Sequence, residues 1–228
     1  MIESHLNYLI KIKDNDPDYI GNNSLKWGVY VMGCDKKLNI SLDKRFNRYE
    51  LFEYCADKNN SNLDVIIAIL SWGGMNRRHG KLLFKNLKQL NELVINLRGN
   101  IYHARIEAYN SFQDARKKGV LPGLGIGYFT KLICFLAPSL NGYIMDQWAS
   151  KSINLLVGKE VVKITSGGWV SDERGMNNPC VYEDFCNYID LLGKKLECTG
   201  FDAEKRIFSI GRSNGKWRNY LIEHYKKI

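Results

Sequence analysis

Apolar residues recur every three or four positions along most of the chain after residue 60, which is the spacing of amphipathic α-helices. Leu83, Leu87, Leu90, Val94 and Leu97 would share one helical face. With capping residues, glycines and prolines as boundaries, the same pattern predicts helices over 63–70, 102–118, 128–136, 182–197 and 205–225, and another beginning at 147. Residues 158–180 have the composition of a loop. The chain is therefore predicted to be mainly α-helical.

The first 50 residues are the least regular part of the sequence. Apolar residues cluster at 29–32 and alternate at Leu38, Ile40 and Leu42, a pattern that predicts a small β-hairpin. The chain contains no internal repeat, no low-complexity run and no Gly/Ser linker. We therefore expect interlocked helical lobes with one small irregular or β element near the N-terminus.

Composition and charge narrow the class of partner. The 228 residues are 45% hydrophobic and 25% charged, which is typical of a globular protein. Lys and Arg number 33 against 24 Asp and Glu, so the net charge is +9 and favours a polyanionic partner. No apolar run approaches the roughly 20 residues of a membrane span, and the first residues lack a signal-peptide pattern. We expect a cytoplasmic protein without a membrane partner.

The cysteines and histidines do not suggest a metal or iron–sulfur site. The six cysteines include no CxxC pair, and the four histidines are scattered along the chain. Several cysteines lie within apolar runs, as small hydrophobic residues do. We expect reduced structural thiols, no metal and no cofactor.

The segment 120–131, Val-Leu-Pro-Gly-Leu-Gly-Ile-Gly-Tyr-Phe-Thr-Lys, lies between two predicted helices. Glycines at 123, 125 and 127 allow a tight turn and expose amide N–H groups at the start of the second helix, where an anion such as a phosphate can bind. A plain tight turn would have a similar sequence. Fifteen residues after Lys131, Asp146 precedes Gln147 and Trp148 at the start of another predicted helix.

These motifs together resemble the helix-hairpin-helix DNA glycosylases, the superfamily of endonuclease III and the 8-oxoguanine glycosylases. Leu-Pro-Gly-Leu-Gly at 121–125 is similar to the hairpin of that superfamily, Lys131 to its catalytic lysine and Asp146 to its aspartate. The runs 125–136 and 143–146 are most similar to bacterial proteins with the 8-oxoguanine glycosylase fold. This resemblance implies a two-lobed helical fold, with a central lobe of residues 60–150 and a second lobe of residues 1–59 and 151–228.

The sequence departs from the superfamily pattern in two places. Counting from Gly125-Ile126-Gly127 as the hairpin turn puts Phe129 at the catalytic position, whereas counting from 121–125 puts Lys131 there. Two residues correspond to about 200° of helical rotation, so both cannot face one pocket; we favour Lys131 because the run after it matches better. In addition, Gly73 occupies the position of a glutamine in endonuclease III.

The resemblance assigns chemical roles. A carboxylate at Asp146 would stabilise the positive charge that develops on the sugar as the glycosidic bond breaks. Lys131 would attack C1′ to form a Schiff base, and burial beside Phe129, Phe135 and Trp148 would lower its pKa and favour the neutral amine. Without that lysine, Asp146 would activate water.

A glycosylase must extrude the target nucleotide and fill the space that it leaves. Met75, Asn76, Arg77 and Arg78 are the candidates for this wedge and for DNA contacts. Aromatic candidates for the pocket of the extruded base are Trp72, Phe129, Trp148 and Trp169. Basic candidates for phosphate contacts are Arg77, Arg78, Lys81, Lys117 and Lys118.

The sequence therefore predicts a DNA glycosylase, bifunctional through Lys131, that acts on double-stranded DNA containing a damaged or modified base. An oxidised purine such as 8-oxoguanine is favoured by the resemblance alone. Alternatives are a monofunctional glycosylase dependent on Asp146, an enzyme that acts on modified phage DNA, and a non-catalytic DNA-binding module. We expect a monomer, because binding one lesion requires no symmetry.

Overall fold

The computed structural model of the protein describes residues 1–12, 19–33, 38–171, 175–208 and 215–225. Within this part of the chain there are twelve α-helices: α1 Glu3–Lys11, α2 Ser24–Met32, α3 Arg48–Ala56, α4 Asn62–Trp72, α5 Arg77–Phe84, α6 Leu87–Arg98, α7 Arg105–Lys117, α8 Ile126–Leu136, α9 Gln147–Val157, α10 Pro179–Lys195, α11 Gly200–Phe208 and α12 Lys216–His224. β pairing in the same residues is limited to two isolated bridges, Asn23 with Arg45 and Ile164 with Val170. The prediction of a mainly α-helical fold is confirmed.

The chain divides into two compact units. The central unit comprises Ile20–Gly142, and the terminal unit comprises Met1–Tyr19 together with Tyr143–Ile228. This division differs from the expected one chiefly at residues 20–59, which cluster with the central segment rather than with the two ends of the chain. The physical reason is that α2 and α3 pack against α4.

Helix α4 is the core of the central unit. Its N-terminus has a capping box in which the Ser61 side chain accepts from the Asp64 amide and the Asp64 carboxylate accepts from the Ser61 amide. Every residue from Asp64 to Trp72 is buried. Helices α2, α3, α6 and α8 all pack against it. An apolar helix surrounded in this way is a buried core helix, as the sequence predicted for 63–70.

The core of the terminal unit surrounds α9. Helices α1, α10, α11 and α12 contact it, and the Ile2 amide donates to the Leu156 carbonyl at 2.6 Å, joining the first residues of the chain to α9. The Asn154 side chain holds the loop that follows α9, because it both donates to and accepts from the backbone of Val162, at 2.8 and 2.9 Å. The first of these bonds links distant parts of the chain, and the bonds of Asn154 fix the local loop.

The predicted N-terminal hairpin is wrong. Residues 24–32 form α2, whose N-terminus is capped by the Asn23 side chain accepting from the Lys26 amide. Trp27 and Val31 are buried while Val29 between them is exposed, which fits one face of a helix and not a strand, where all three would share a face. The second predicted patch contains the short 3-10 helix Ile40–Leu42. Residues 34–37, which the hairpin would have included, lie outside the described residues.

Two further helix boundaries differ from the prediction. The apolar face from Leu83 to Leu97 is divided between α5 and α6, because the helix ends at Phe84 and a new one begins at Leu87. The helix predicted for 205–225 corresponds to α11 and α12, and residues 209–214 between them lie outside the described residues. The predicted helices at 102–118, 128–136 and 147 correspond to α7, α8 and α9.

Candidate functional site

Helices α7 and α8 form a helix–turn–helix pair in the central unit. They are held together by the Phe129 ring, which stacks on Phe112 with centroids 5.4 Å apart and meets Tyr109 edge-on at 4.9 Å. The turn between them contains Gly119 at φ +73° and Gly123 at φ +79°, both in the left-handed region that favours glycine. The glycine-rich segment is therefore a hairpin between two packed helices, as its spacing predicted.

The start of α8 presents unpaired amides. Gly125 is the N-cap residue, and no side chain caps the helix. None of the described residues accepts a hydrogen bond from the amides of Gly125, Ile126 or Gly127. Amides aligned at a helix N-terminus form an anion-binding site, because the unpaired N–H groups and the helix dipole both favour negative charge.

The first turn of α5 lies directly beside this hairpin. A Cβ built on Gly123 would lie 3.0 Å from the carbonyl oxygen of His79, so the two backbones are in contact. Asn76 caps α5 by accepting from the Arg78 amide at 2.8 Å. Arg77, Arg78 and His79 are all exposed. Two segments that are over 40 residues apart in sequence thus form one basic surface in the central unit.

Three predicted DNA-contact or pocket residues lie in the core of the central unit. Met75 is 2% exposed, and its carbonyl accepts from Trp27 Nε1 at 2.9 Å. Trp72 is 1% exposed and meets the Phe135 ring edge-on. Phe129 is fully buried between rings of α7. Their burial gives them a packing role in this structure, which leaves Asn76, Arg77 and Arg78 as the accessible part of the predicted wedge.

Lys131 is a buried lysine on the face of α8 that is directed toward the end of α4. It is 4% exposed, and its Nζ donates to the Gly127 carbonyl at 2.7 Å, one turn earlier. A Cβ built on Gly73 would lie 2.7 Å from Lys131 Cδ and 3.1 Å from Cε. The lysine stem therefore occupies the space that any larger residue at position 73 would need.

This geometry bears on the choice between Phe129 and Lys131. The turn is completed at Gly125, and Ile126 and Gly127 are the first residues of α8. Phe129 packs against α7, whereas Lys131 lies against Gly73 at the end of α4. Of the two residues, Lys131 is the one with chemistry suited to a reaction, and Phe129 stabilises the helix pair.

Asp146 is the N-cap of α9 in the terminal unit. Its Oδ1 accepts from the amides of Trp148 and Ala149 at 2.9 and 3.0 Å. Both cap bonds use the same oxygen, and within the described residues Oδ2 accepts no hydrogen bond. The residue is partly exposed. The cap thus fixes the carboxylate through Oδ1 and leaves Oδ2 without a hydrogen-bond donor among the described residues.

The Trp148 indole is held on several sides. The Arg218 guanidinium lies 3.9 Å from the ring centroid, and Lys151 Nζ lies 5.1 Å from it. The Gln147 amide oxygen accepts from Trp148 Nε1 at 3.1 Å, and its nitrogen donates to the Gly168 carbonyl at 2.7 Å. Trp148 therefore contributes a fixed aromatic surface on the first turn of α9.

Burial affects both cations beside Trp148. It lowers the pKa of Arg218, and the nearby Asp146 carboxylate opposes that shift. Burial also lowers the pKa of Lys151. Neither Arg218 nor Lys151 is among the site residues expected from the sequence. The three-residue spacing of Trp148 and Lys151 places both on one helical face and was a usable signal for the lysine. Arg218 lies 70 residues further along the chain, and no local pattern indicates it.

Other chemistry is sparse in the described residues. They contain no group of three or more His, Cys, Asp or Glu side chains placed to hold a metal ion. The described cysteines, at 55, 134, 180, 186 and 198, are free thiols, and Cys34 lies outside the described residues. None of the described helices has the length and apolar character needed to cross a membrane. Trp169 is 61% exposed on the loop that follows α9.

Comparison with known families identifies the chain. Residues 31–208 match the family described as "Putative 8-oxoguanine DNA glycosylase OGG-like protein". The chain belongs to this family. No curated protein and no solved structure gives a significant match. The matched residues of this OGG-like protein include the hairpin, Lys131 and Asp146, whereas α1 and α12, which carries Arg218, lie outside them.

Proposed function

We propose that this OGG-like protein is a DNA N-glycosylase that extrudes and excises a damaged or modified base, with an oxidised purine such as 8-oxoguanine as the favoured substrate. The observation that carries the proposal is the state of Asp146, which is held by two cap bonds to Oδ1 while Oδ2 accepts no hydrogen bond within the described residues. A fixed carboxylate with one available oxygen suits the stabilisation of a developing cation.

The proposed role of Asp146 follows from the charge that the reaction creates. When the C1′–N bond breaks, the base leaves with the electron pair and positive charge develops on the sugar. An ionised carboxylate stabilises that charge, and because the α9 amides fix it in advance, no reorganisation is needed during the reaction.

Lys131 is the proposed nucleophile of a bifunctional reaction. Its amine would add to C1′ as the base leaves with the C1′–N electron pair. Loss of a proton from the amine and opening of the C1′–O4′ bond, with a proton taken up by O4′, would then give the imine. Removal of a proton at C2′ would finally expel the 3′ phosphate. Its position is supported by its burial and by the close fit of its stem over Gly73. The Gly127 carbonyl, which accepts from Nζ in this structure, would have to release the amine before it attacks.

The surface formed by the hairpin and the first turn of α5 is the proposed DNA contact of the central unit. Phosphate oxygens would accept from the amides at Gly125 and Gly127, and Arg77 and Arg78 would contact the adjacent backbone. Asn76 lies beside these arginines and is the accessible candidate for the wedge. Lys81, Lys117 and Lys118 are exposed and would add phosphate contacts, although Lys117 also forms an ion pair with Asp114 at 3.8 Å.

The decisive experiment identifies the released base by mass spectrometry, using a panel of duplexes that carry oxidised, alkylated, deaminated or phage-type modified bases. We expect release of at least one base, and loss of that release in Asp146→Asn. Absence of any free base across the panel would favour a non-catalytic DNA-binding module and contradict the proposal. Release confined to phage-type bases would keep the chemistry and change the substrate class.

Borohydride trapping tests the lyase step separately. The wild-type protein should form a covalent adduct with DNA that contains an abasic site, and Lys131→Gln should not. If wild type releases base but forms no adduct, the enzyme is monofunctional and Asp146 activates water. If Lys131→Gln is still trapped, a different amine is the nucleophile and the assignment of Lys131 is wrong.

A further inference from the structure

Lys151 is a half-buried cation without an ion-pair partner among the described residues. Its Nζ lies 5.1 Å from the Trp148 ring centroid and 5.7 Å from that of Tyr225. A Cβ built on Gly168 would lie 3.5 Å from the same Nζ, so the amine also approaches the loop that follows α9. Within the described part of the terminal unit, Nζ lies against aromatic faces and this loop.

The surroundings of Lys151 are rigid before any ligand binds. The Trp148 amide donates to Asp146 at 2.9 Å, its indole N–H donates to Gln147, and Arg218 stacks on its face. Lys151 is on α9 with Gln147 and Trp148, about one turn after Trp148. A cation on such a support loses little conformational entropy when it binds an anion.

The positive charge of Lys151 is not balanced by any described carboxylate within ion-pair distance. The Asp146 carboxylate acts on Arg218, whereas the contacts of Lys151 Nζ are aromatic faces. Burial lowers the pKa of Lys151 because the ammonium ion loses hydration there. An anionic ligand next to Nζ would restore this lost stabilisation. The surroundings of Lys151 therefore favour a bound negative charge next to Nζ.

We propose that Lys151 binds a phosphodiester oxygen of the DNA strand at the nucleotide on which Asp146 acts. This inference rests on the proposed function and adds a phosphate site in the terminal unit to the one proposed for the central unit. A phosphate fits better than a base edge because lysine interacts as a compact point charge, whereas the reading of bases depends on bidentate groups or fixed planes. Arg218, a planar cation, is already stacked on Trp148.

The test measures binding by fluorescence anisotropy, using a duplex with a tetrahydrofuran abasic analogue, which cannot be cleaved at a glycosidic bond. Salt is varied from 50 to 200 mM for wild type, Lys151→Gln, Lys151→Arg and Lys159→Gln. Lys159 is the matched control, since it is an exposed lysine of the same unit whose Nζ lies 6.0 Å from the Tyr188 ring centroid.

Loss of one phosphate contact should make the slope of log K against log salt shallower by about 0.9. The binding defect of Lys151→Gln should therefore be about 3.5-fold larger at 50 mM than at 200 mM salt. Lys151→Arg, which keeps the charge, should retain the wild-type slope, and so should Lys159→Gln. Thermal unfolding of each variant shows whether it is folded under the same conditions.

Three results would overturn the inference. They are an unchanged slope in folded Lys151→Gln, an equal change of slope in Lys159→Gln, and a defect that varies with the identity of the base when uncleaved lesion duplexes replace the abasic analogue. Because the analogue has no base to release, these results are independent of catalysis. Failure of the proposed function would instead appear as absence of base release, whatever the salt slopes are.

Discussion

Substitution of Asp146 separates its structural role from its proposed chemical role. Its Oδ1 accepts two amide hydrogen bonds at the start of α9, and the carboxylate also carries the negative charge needed at the sugar. Asparagine keeps an oxygen of similar geometry and removes the charge, whereas alanine removes both. The two variants therefore differ mainly in the cap.

The expected magnitudes follow from these contacts. Loss of the N-cap in Asp146→Ala should cost about 1 kcal/mol of unfolding free energy relative to Asp146→Asn, since asparagine and aspartate are similarly good caps. Asp146→Asn itself should lose about 0.3–1 kcal/mol relative to wild type, because a negative charge at a helix N-terminus is removed. Both variants leave Arg218 without its neighbouring carboxylate, so this contribution cancels in the comparison between them.

The activity of the two variants should fall together. If the carboxylate stabilises the sugar cation, single-turnover base release should decrease by roughly 10²–10³-fold or more in both, because the effect depends on charge and not on the cap. Urea unfolding and single-turnover release, measured on the same preparations, provide the two readouts. Near-wild-type release by Asp146→Asn, together with the expected stability loss in Asp146→Ala, would show that Asp146 is only a helix cap and would refute the catalytic assignment.

Three further predictions concern other parts of the molecule. Gly73→Ala should reduce borohydride trapping at least tenfold with little change in DNA affinity, because the added Cβ would displace the Lys131 side chain. The backbone of Gly73, at φ −66°, accepts alanine without strain. Trapping at the wild-type rate would contradict the role of Gly73 in positioning Lys131. Phe129→Ala should lower the unfolding free energy by about 3–5 kcal/mol, measured in urea, since a fully buried ring is removed from between α7 and α8; a loss below about 1 kcal/mol would show that the ring is not packed there. Burial and the nearby His224 lower the pKa of His5 below 6.5, so the unfolded chain binds a proton at this site more readily than the folded chain does. The free energy of unfolding should therefore be unaffected by His5 above pH 6.5 and decrease as the pH falls from 6.5 through the lowered pKa. Thermal unfolding of His5→Gln should show a weaker dependence on pH than wild type, with His103→Gln as the control; an unchanged dependence would remove His5 as its source.

The sequence alone was sufficient for features encoded over a few residues. The hairpin followed from closely spaced glycines and a proline, since such residues allow conformations that other residues rarely adopt. The starts of α8 and α9 followed from a glycine and from Asp146, which lie next to apolar helical patterns. The glycosylase family was likewise recognisable from these local motifs, and the family match over residues 31–208 agrees with it.

Tertiary structure decided whatever depends on partners distant in sequence. The sequence of residues 29–32 is compatible with a strand or a helix, because a short apolar run has no distinct period. The packing of α2 on α4 decides that these residues are helical. Spacing could not choose between Phe129 and Lys131, and only the positions of α7 and of Gly73 show which is packed between rings and which fits over a glycine. Arg218 lies beside Trp148, and the loop glycine Gly168 beside Gln147, because packing between distant segments places them there and no local pattern indicates it.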